Sequence, residues 1–87
     1  MMKKKIIKTI KENPNCFLYY HDSGSWTIYK SKKLFIELEK KEYEEYDAFL
    51  EKITLLEGDD FGVENVGYAP VIVVALAEML GIEVDSI

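Results

Sequence analysis

The sequence contains no arginine, one cysteine and one histidine. Without arginine, it lacks the planar group that grips a phosphate or a guanine through two hydrogen bonds. A single cysteine excludes an internal disulfide, which fits a reducing compartment. A lone histidine with no cysteine cluster is a poor basis for a metal or catalytic centre. We therefore expect no catalytic activity, no bound metal and no cofactor.

Long apolar runs are also missing. The run from Ala69 to Leu80 is too short to span a bilayer. The N-terminal lysines are typical of an export signal, but Lys8 and Lys11 interrupt the isoleucines and leave no apolar core. We therefore predict a cytoplasmic protein with no membrane partner.

What the sequence does contain is typical of a small folded protein. It has 87 residues, of which 48% are hydrophobic and 31% are charged. This balance is ordinary for a globular chain and supplies enough apolar residues for one modest core. We predict a single α+β domain covering residues 1–87.

The net charge of −5 conceals a division along the chain. Residues 1–41 hold ten lysines against four acids, whereas residues 42–87 hold Lys52 against twelve acids. Such asymmetry is typical of a surface that binds a charged partner. It is equally consistent with two halves that attract each other within the fold, and the sequence leaves both interpretations open.

The stretch PVIVVALAEMLG, residues 70–81, is predicted to be a helix around which the rest of the chain packs. The β-branched run Val71–Val74 favours a strand. The proline at the start suits a first helical position, and the run of alanine, leucine, glutamate and methionine favours a helix. Gly81 stands where a left-handed cap is expected, which would let Ile82 fold back onto Ala77.

This helix has almost no polar face. At 100° per residue, one side carries Ile72, Val73, Leu76, Met79 and Leu80. The opposite side carries Val71, Val74, Ala75 and Glu78. Either the domain buries the helix completely, or Val71, Val74 and Ala75 form an interface in a homo-oligomer such as a homodimer.

The remaining elements are predicted from periodicity and turn residues. Helices are expected at Met2–Glu12 and Lys41–Leu56, and strands at Cys16–His21, Trp26–Lys30 and Leu34–Leu38. Glu83–Ile87 could add an edge strand or fray. The predicted order is α-β-β-β-α-α, with a three-stranded antiparallel meander packed against helices on one face.

The register of the predicted hairpin depends on its loop. A loop of two or four residues would place on one face Phe17, Tyr19, Trp26 and Ile28. A three-residue loop with Gly24 left-handed would instead group Leu18, Tyr20, Trp26 and Ile28. The sequence does not decide between the two.

The leading functional hypothesis rests on the acidic second half. Glu44, Asp47 and Glu51 form a stripe on the outer face of the predicted Lys41–Leu56 helix, and Asp59 and Asp60 follow in a loop. Such a surface suits a basic protein partner. We expect a small stoichiometric inhibitor, of the immunity or anti-defence kind, that binds a basic, nucleic-acid-handling protein.

Two alternatives come from other features. The aromatic and lysine-rich hairpin suggests binding of single-stranded nucleic acid, through stacking and backbone contacts. The residues concerned are Trp26, Tyr29, Lys30, Lys32 and Lys33. The third hypothesis is a homo-oligomeric structural or regulatory subunit that uses Val71, Val74 and Ala75.

Overall fold

Four helices and six strands make up the described part of the computed structural model, which comprises residues 3–21, 24–59, 65–66 and 69–86. The helices are α1 (Lys3–Glu12), α2 (Lys32–Glu39), α3 (Tyr43–Ile53) and α4 (Val71–Met79). The strands are β1 (Phe17–Tyr20), β2 (Ser25–Tyr29), β3 (Thr54–Asp59), β4 (Asn65–Val66), β5 (Ala69–Pro70) and β6 (Glu83–Ser86). The small α+β architecture is therefore confirmed, although the order of elements differs from the prediction.

The hairpin of β1 and β2 adopts the second predicted register. Tyr20 pairs with Trp26, and the backbone N–H of His21 donates to the carbonyl of Ser25 at 2.8 Å. Gly24 has a φ of 100°, in the left-handed region that glycine tolerates. The loop of three residues accordingly groups Leu18 with the indole of Trp26.

The main sheet has four strands in the order β3-β2-β1-β6 and is mixed. β2 pairs antiparallel with both β1 and β3, whereas β6 runs parallel to β1. The acidic tail therefore does add an edge strand, and the predicted three-stranded antiparallel meander is wrong. A separate pairing of β4 with β5 leads directly into α4.

Helices cover both faces of the sheet. On one face, α1 and α4 pack over one cluster of buried side chains: Ile6, Ile10, Cys16, Leu18, Trp26, Ile28, Val73 and Ala77. On the other face, α2 and α3 pack over a second cluster: Phe17, Tyr29, Leu38 and Ile53. The prediction of helices on one face alone is wrong, because the segment that was expected to be a third strand forms α2 instead.

The predicted strand Leu34–Leu38 lies inside α2. Ser31 caps this helix, since its hydroxyl accepts a hydrogen bond from the backbone N–H of Leu34 at 3.1 Å. Alternation was misleading here, because Leu34 and Leu38 are also four residues apart, which places them on one side of a helix. In a regular strand Ile36 would lie on the same side as Leu34 and Leu38, but in α2 it is 42% exposed.

Replacing Ser31 by alanine is expected to lower the free energy of unfolding by about 1 kcal/mol, since α2 loses its cap. Urea denaturation measures the change. Ser31→Asp keeps an oxygen acceptor at the same position and should stay close to the wild-type value. Equal stability of the two variants would contradict the capping role.

Helix α3 ends three residues earlier than predicted. The hydroxyl of Thr54 donates to the carbonyl of Leu50 at 2.7 Å, and the backbone of Thr54 is extended. The backbone carbonyl of Ile53 accepts a hydrogen bond from the backbone N–H of Lys30 at 2.9 Å, which ties the helix end to β2. Leu56 therefore belongs to β3, and its helical spacing from Ile53 is a coincidence of the sequence.

Helix α4 confirms the prediction over its β-branched start and at its C-terminal cap. Gly81 has a φ of 78°, and the N–H of Ile82 donates to the carbonyl of Ala77 at 3.2 Å. This is the Schellman motif, in which a left-handed glycine ends a helix. The predicted inner side is partly wrong, however, because Met79 is 82% exposed. Within the described residues, no helix has the length and apolar character needed to cross a membrane.

Candidate functional site

The outer face of α3 carries the predicted acidic stripe. Glu44, Asp47 and Glu51 are all exposed. Their helix is held from beneath by Ile53, which is 1% exposed, and by the half-buried Leu50. The three carboxylates thus stand on a rigid element rather than on a loop.

The structure adds a fourth carboxylate that the sequence analysis did not assign to this surface. No loop separates α3 from β3, so the chain returns along the sheet edge and brings Glu57 beside the helix. A shallow groove results, lined by Asp47, Leu50, Glu51, Thr54 and Glu57. We call Glu44, Asp47, Glu51 and Glu57 the acidic surface.

Tyrosines stand at the N-terminal end of this surface. Tyr43 is 95% exposed and Tyr46 is 39% exposed. The spacing of an amphipathic helix would include both tyrosines in its apolar side, but the residues of α3 that pack against the core begin at Phe49. Tyr43 is the first residue of the helix and projects beyond that contact. Exposed tyrosines of this kind are enriched in protein interfaces.

Lysines occupy the other side of the same helix. The ammonium of Lys41 lies 4.6 Å from the ring centroid of Phe49. Lys52 lies in the last turn, where the helix dipole favours a positive charge. Together with Glu44 and Glu45 they line a separate shallow depression. Asp47 and Glu51, by contrast, line the groove that they share with Glu57, and no lysine lines that groove.

A buried phenol lies near the groove. Burial raises the pKa of Tyr29, a hydrogen bond with Thr27 lowers it, and the neighbouring Tyr46 and Glu57 raise it further. The net effect is a phenol that stays neutral at physiological pH. Tyr29 adds no charge to the acidic surface.

The two other acids predicted for the site are not placed by the structure. The backbone of Asp59 pairs with Ser25 at the end of β3. The side chain of Asp59 and the whole of Asp60 lie outside the described residues.

The residues of the nucleic-acid alternative do not form one exposed surface. Trp26 is 2% exposed and Tyr29 is 7% exposed, and they lie on opposite faces of the sheet. Lys30 and Lys33 are exposed, whereas the ammonium of Lys32 lies 2.7 Å from a carboxylate oxygen of Glu83. Stacking of bases on this hairpin would therefore require the helices to leave the sheet.

The predicted oligomer residues are accessible to different degrees. Val71 is 36% exposed and Ala75 is exposed, but Val74 is half-buried against the first core cluster. Met79 extends the same exposed side. Apart from Glu78, which is also exposed, the outer side of α4 is thus apolar, as one of the two sequence interpretations required.

Groups suited to covalent or metal chemistry are not assembled in the part of the chain that the structure describes. Burial raises the pKa of the Cys16 thiol, and a backbone hydrogen bond partly opposes that rise. Among the described residues, no group of three or more histidine, cysteine, aspartate or glutamate side chains could hold a metal ion.

Comparison of the chain with protein-family models gives no matching family. Comparisons with curated proteins and with solved structures also give no significant match.

Proposed function

We propose that this protein is a small, non-catalytic binding protein whose acidic surface engages a basic, nucleic-acid-handling protein and inhibits it stoichiometrically. The observation that carries the proposal is the groove in which Asp47 and Glu51 of α3 stand beside Glu57 of β3. Two different elements supply like charges to one shallow groove, which favours a cationic partner over any other kind.

Nucleic-acid-handling proteins present lysines and arginines to phosphates, and these side chains supply much of their affinity. A helix that displays carboxylates at regular intervals offers the same lysines and arginines a competing set of acceptors. The immunity and anti-defence proteins expected from the sequence would act in this way. Occupying the cationic surface is enough to inhibit, so the protein needs no reactive group of its own.

The exposed tyrosines contribute to the lifetime of the complex, which surface charge affects little. Exposed carboxylates mainly raise the association rate and set specificity, whereas aromatic anchors contribute more to the lifetime of a complex. Tyr43, 95% exposed at the end of the acidic surface, is suited to fill a pocket on the partner. We therefore propose that the carboxylates speed association with the partner and that Tyr43 lengthens the lifetime of the complex.

Neutralising the acidic surface tests this proposal. In the triple variant Glu44→Gln, Asp47→Asn, Glu51→Gln, association with the basic partner is expected to slow by about tenfold or more. The partner is captured from host-cell extract on the immobilised wild-type protein and purified. Association and dissociation rates are then measured by surface plasmon resonance at several salt concentrations.

The matched control is the triple variant Glu12→Gln, Glu37→Gln, Glu78→Gln. It changes the net charge equally, and its three exposed carboxylates lie on other helices. The control should bind like the wild type. If both triple variants bind every captured partner at the wild-type rate, or if both are slowed equally, the acidic surface is not the binding site.

A further inference from the structure

The layer formed by α1 and α4 presents a surface of the opposite character. The two helices pack side by side on one face of the sheet. Ile6 and Ile10 of α1 are buried, so Lys4, Lys8 and Lys11 turn outward, and all three are exposed.

The neighbouring helix α4 turns apolar side chains in the same direction. Val71, Ala75 and Met79 are four residues apart in succession and therefore lie along one stripe. All three are exposed, and Met79 is 82% exposed. We call Lys4, Lys8 and Lys11 together with Val71, Ala75 and Met79 the basic–apolar face.

The sheet separates this face from the acidic surface. α1 and α4 cover one side, and α2 and α3 cover the other. An ion pair between the two halves of the chain, from Lys32 to Glu83, joins the start of α2 to β6 and involves neither surface. The lysines of α1 and the carboxylates of α3 are complementary, but the fold keeps them from meeting within one molecule.

We infer that the basic–apolar face of one copy docks onto the acidic surface of a second copy, in a head-to-tail contact. Lysines of one copy would meet carboxylates of the next, and Val71 and Met79 would cover the exposed ring of Tyr43. Ala75, between them, has a short side chain that allows a close approach. A symmetric contact of two basic–apolar faces is disfavoured, because it would bring the lysines of two α1 helices together.

This inference rests on the same acidic surface as the proposed function and adds a form of regulation to it. A head-to-tail contact leaves one face unused at each end, so the association continues along a chain of copies. Every copy except the one at the end then has its acidic surface covered. A basic partner would have to displace the neighbouring copy. Dilution of the protein separates the copies, exposes the acidic surface and therefore favours inhibition of the partner.

Light scattering on a sizing column tests the contact. The wild-type mass is expected to rise above 10.1 kDa with concentration at low salt and to fall back to it at high salt. Two variants each remove one face. The basic-face variant is Lys4→Gln, Lys8→Gln, Met79→Gln, and the acidic-face variant is Glu44→Gln, Asp47→Asn, Glu51→Gln.

Each variant alone should remain at the monomer mass, because it keeps a single working face. An equimolar mixture should run at about twice that mass and no further, since the two remaining faces fit each other once. A variant with Lys30→Gln and Lys33→Gln, which changes neither face, should associate like the wild type. Circular dichroism spectra that match the wild type establish that the variants are folded.

The inference is overturned if the wild type stays at the monomer mass, if the mixture does, or if both face variants still form dimers. These outcomes do not affect the proposed function, which depends on the rate of binding to the basic partner. Conversely, suppose that the wild type and the mixture assemble as expected, but that the acidic-face variant binds the basic partner at the wild-type rate. That result would remove the proposed function and leave the head-to-tail contact in place.

Discussion

Replacing Phe17 by alanine is expected to lower the free energy of unfolding by about 3–5 kcal/mol, and replacing Leu18 by about 2–5 kcal/mol. The two residues are consecutive in β1, so their side chains point to opposite faces of the sheet. Phe17 is 1% exposed and lies 5.3 Å, between ring centroids, from Phe35 of α2. Leu18 is fully buried beneath α1 and α4. Large and comparable losses of stability in both variants are expected only if helices cover both faces of the sheet.

Urea denaturation of each variant measures these losses. Phe17→Leu and Leu18→Met serve as controls, since swaps that roughly conserve volume usually cost less than about 1.5 kcal/mol. If either alanine variant loses less than about 1 kcal/mol, its face of the sheet is open to water. The arrangement of two helical layers would then be wrong.

Adding a single methyl group at Gly58 is expected to cost about 2–3 kcal/mol, near the upper end for overpacking. A Cβ at this position would lie 2.8 Å from Cζ2 and 3.0 Å from Cε2 of Trp26. Gly58 pairs directly with Trp26 across β2 and β3, and the indole is 2% exposed. Since the ring is part of the buried core, either the strands must separate or the core must repack. In a domain of this size, each kcal/mol lowers the Tm by about 4–8 °C.

A double-mutant cycle identifies the cause. Phenylalanine lacks Cζ2 and Nε1, so Gly58→Ala should cost much less in a Trp26→Phe background than in the wild type. The indole Nε1 has no hydrogen-bond partner among the described residues, so the Trp26→Phe change sacrifices no hydrogen bond. An equal cost of Gly58→Ala in both backgrounds would show that the indole is not what the methyl group meets.

Local signals in the sequence are sufficient to predict several of the helices and strands. α1 is marked by buried isoleucines four residues apart, and α4 by a glycine cap that forms as expected. The hairpin was recognised, and its two possible registers were correctly enumerated. The choice between them depended on the φ of Gly24, which is a property of the folded loop and not of its composition.

The helix α2 was missed because its sequence satisfies two periods at once. Leu34, Ile36 and Leu38 alternate as in a strand, while Leu34 and Leu38 also share a helical side. The signal that favoured the helix was Ser31, a preferred N-terminal cap, three residues before Leu34. Missing this helix led to the further error of leaving one face of the sheet uncovered.

The acidic surface could be predicted only along one helix. Spacing alone places Glu44, Asp47 and Glu51 on the outside of α3. Glu57 joins them because α3 ends at Ile53 and the chain turns straight into an edge strand. Its place in the groove is a consequence of tertiary structure, which no local pattern in the sequence encodes.

The parallel pairing of β6 with β1 also constrains how this chain folds. β1 finds β2 across a short hairpin, but β6 follows every other described element. Pairing such distant segments requires a large loss of chain entropy before it gains any stabilising contact, and it slows folding. The hairpin and the helices must therefore be largely in place before the edge strand can dock. We expect the sheet to be completed in a late step, during which the outer edge of β1 stands open to pairing with another chain.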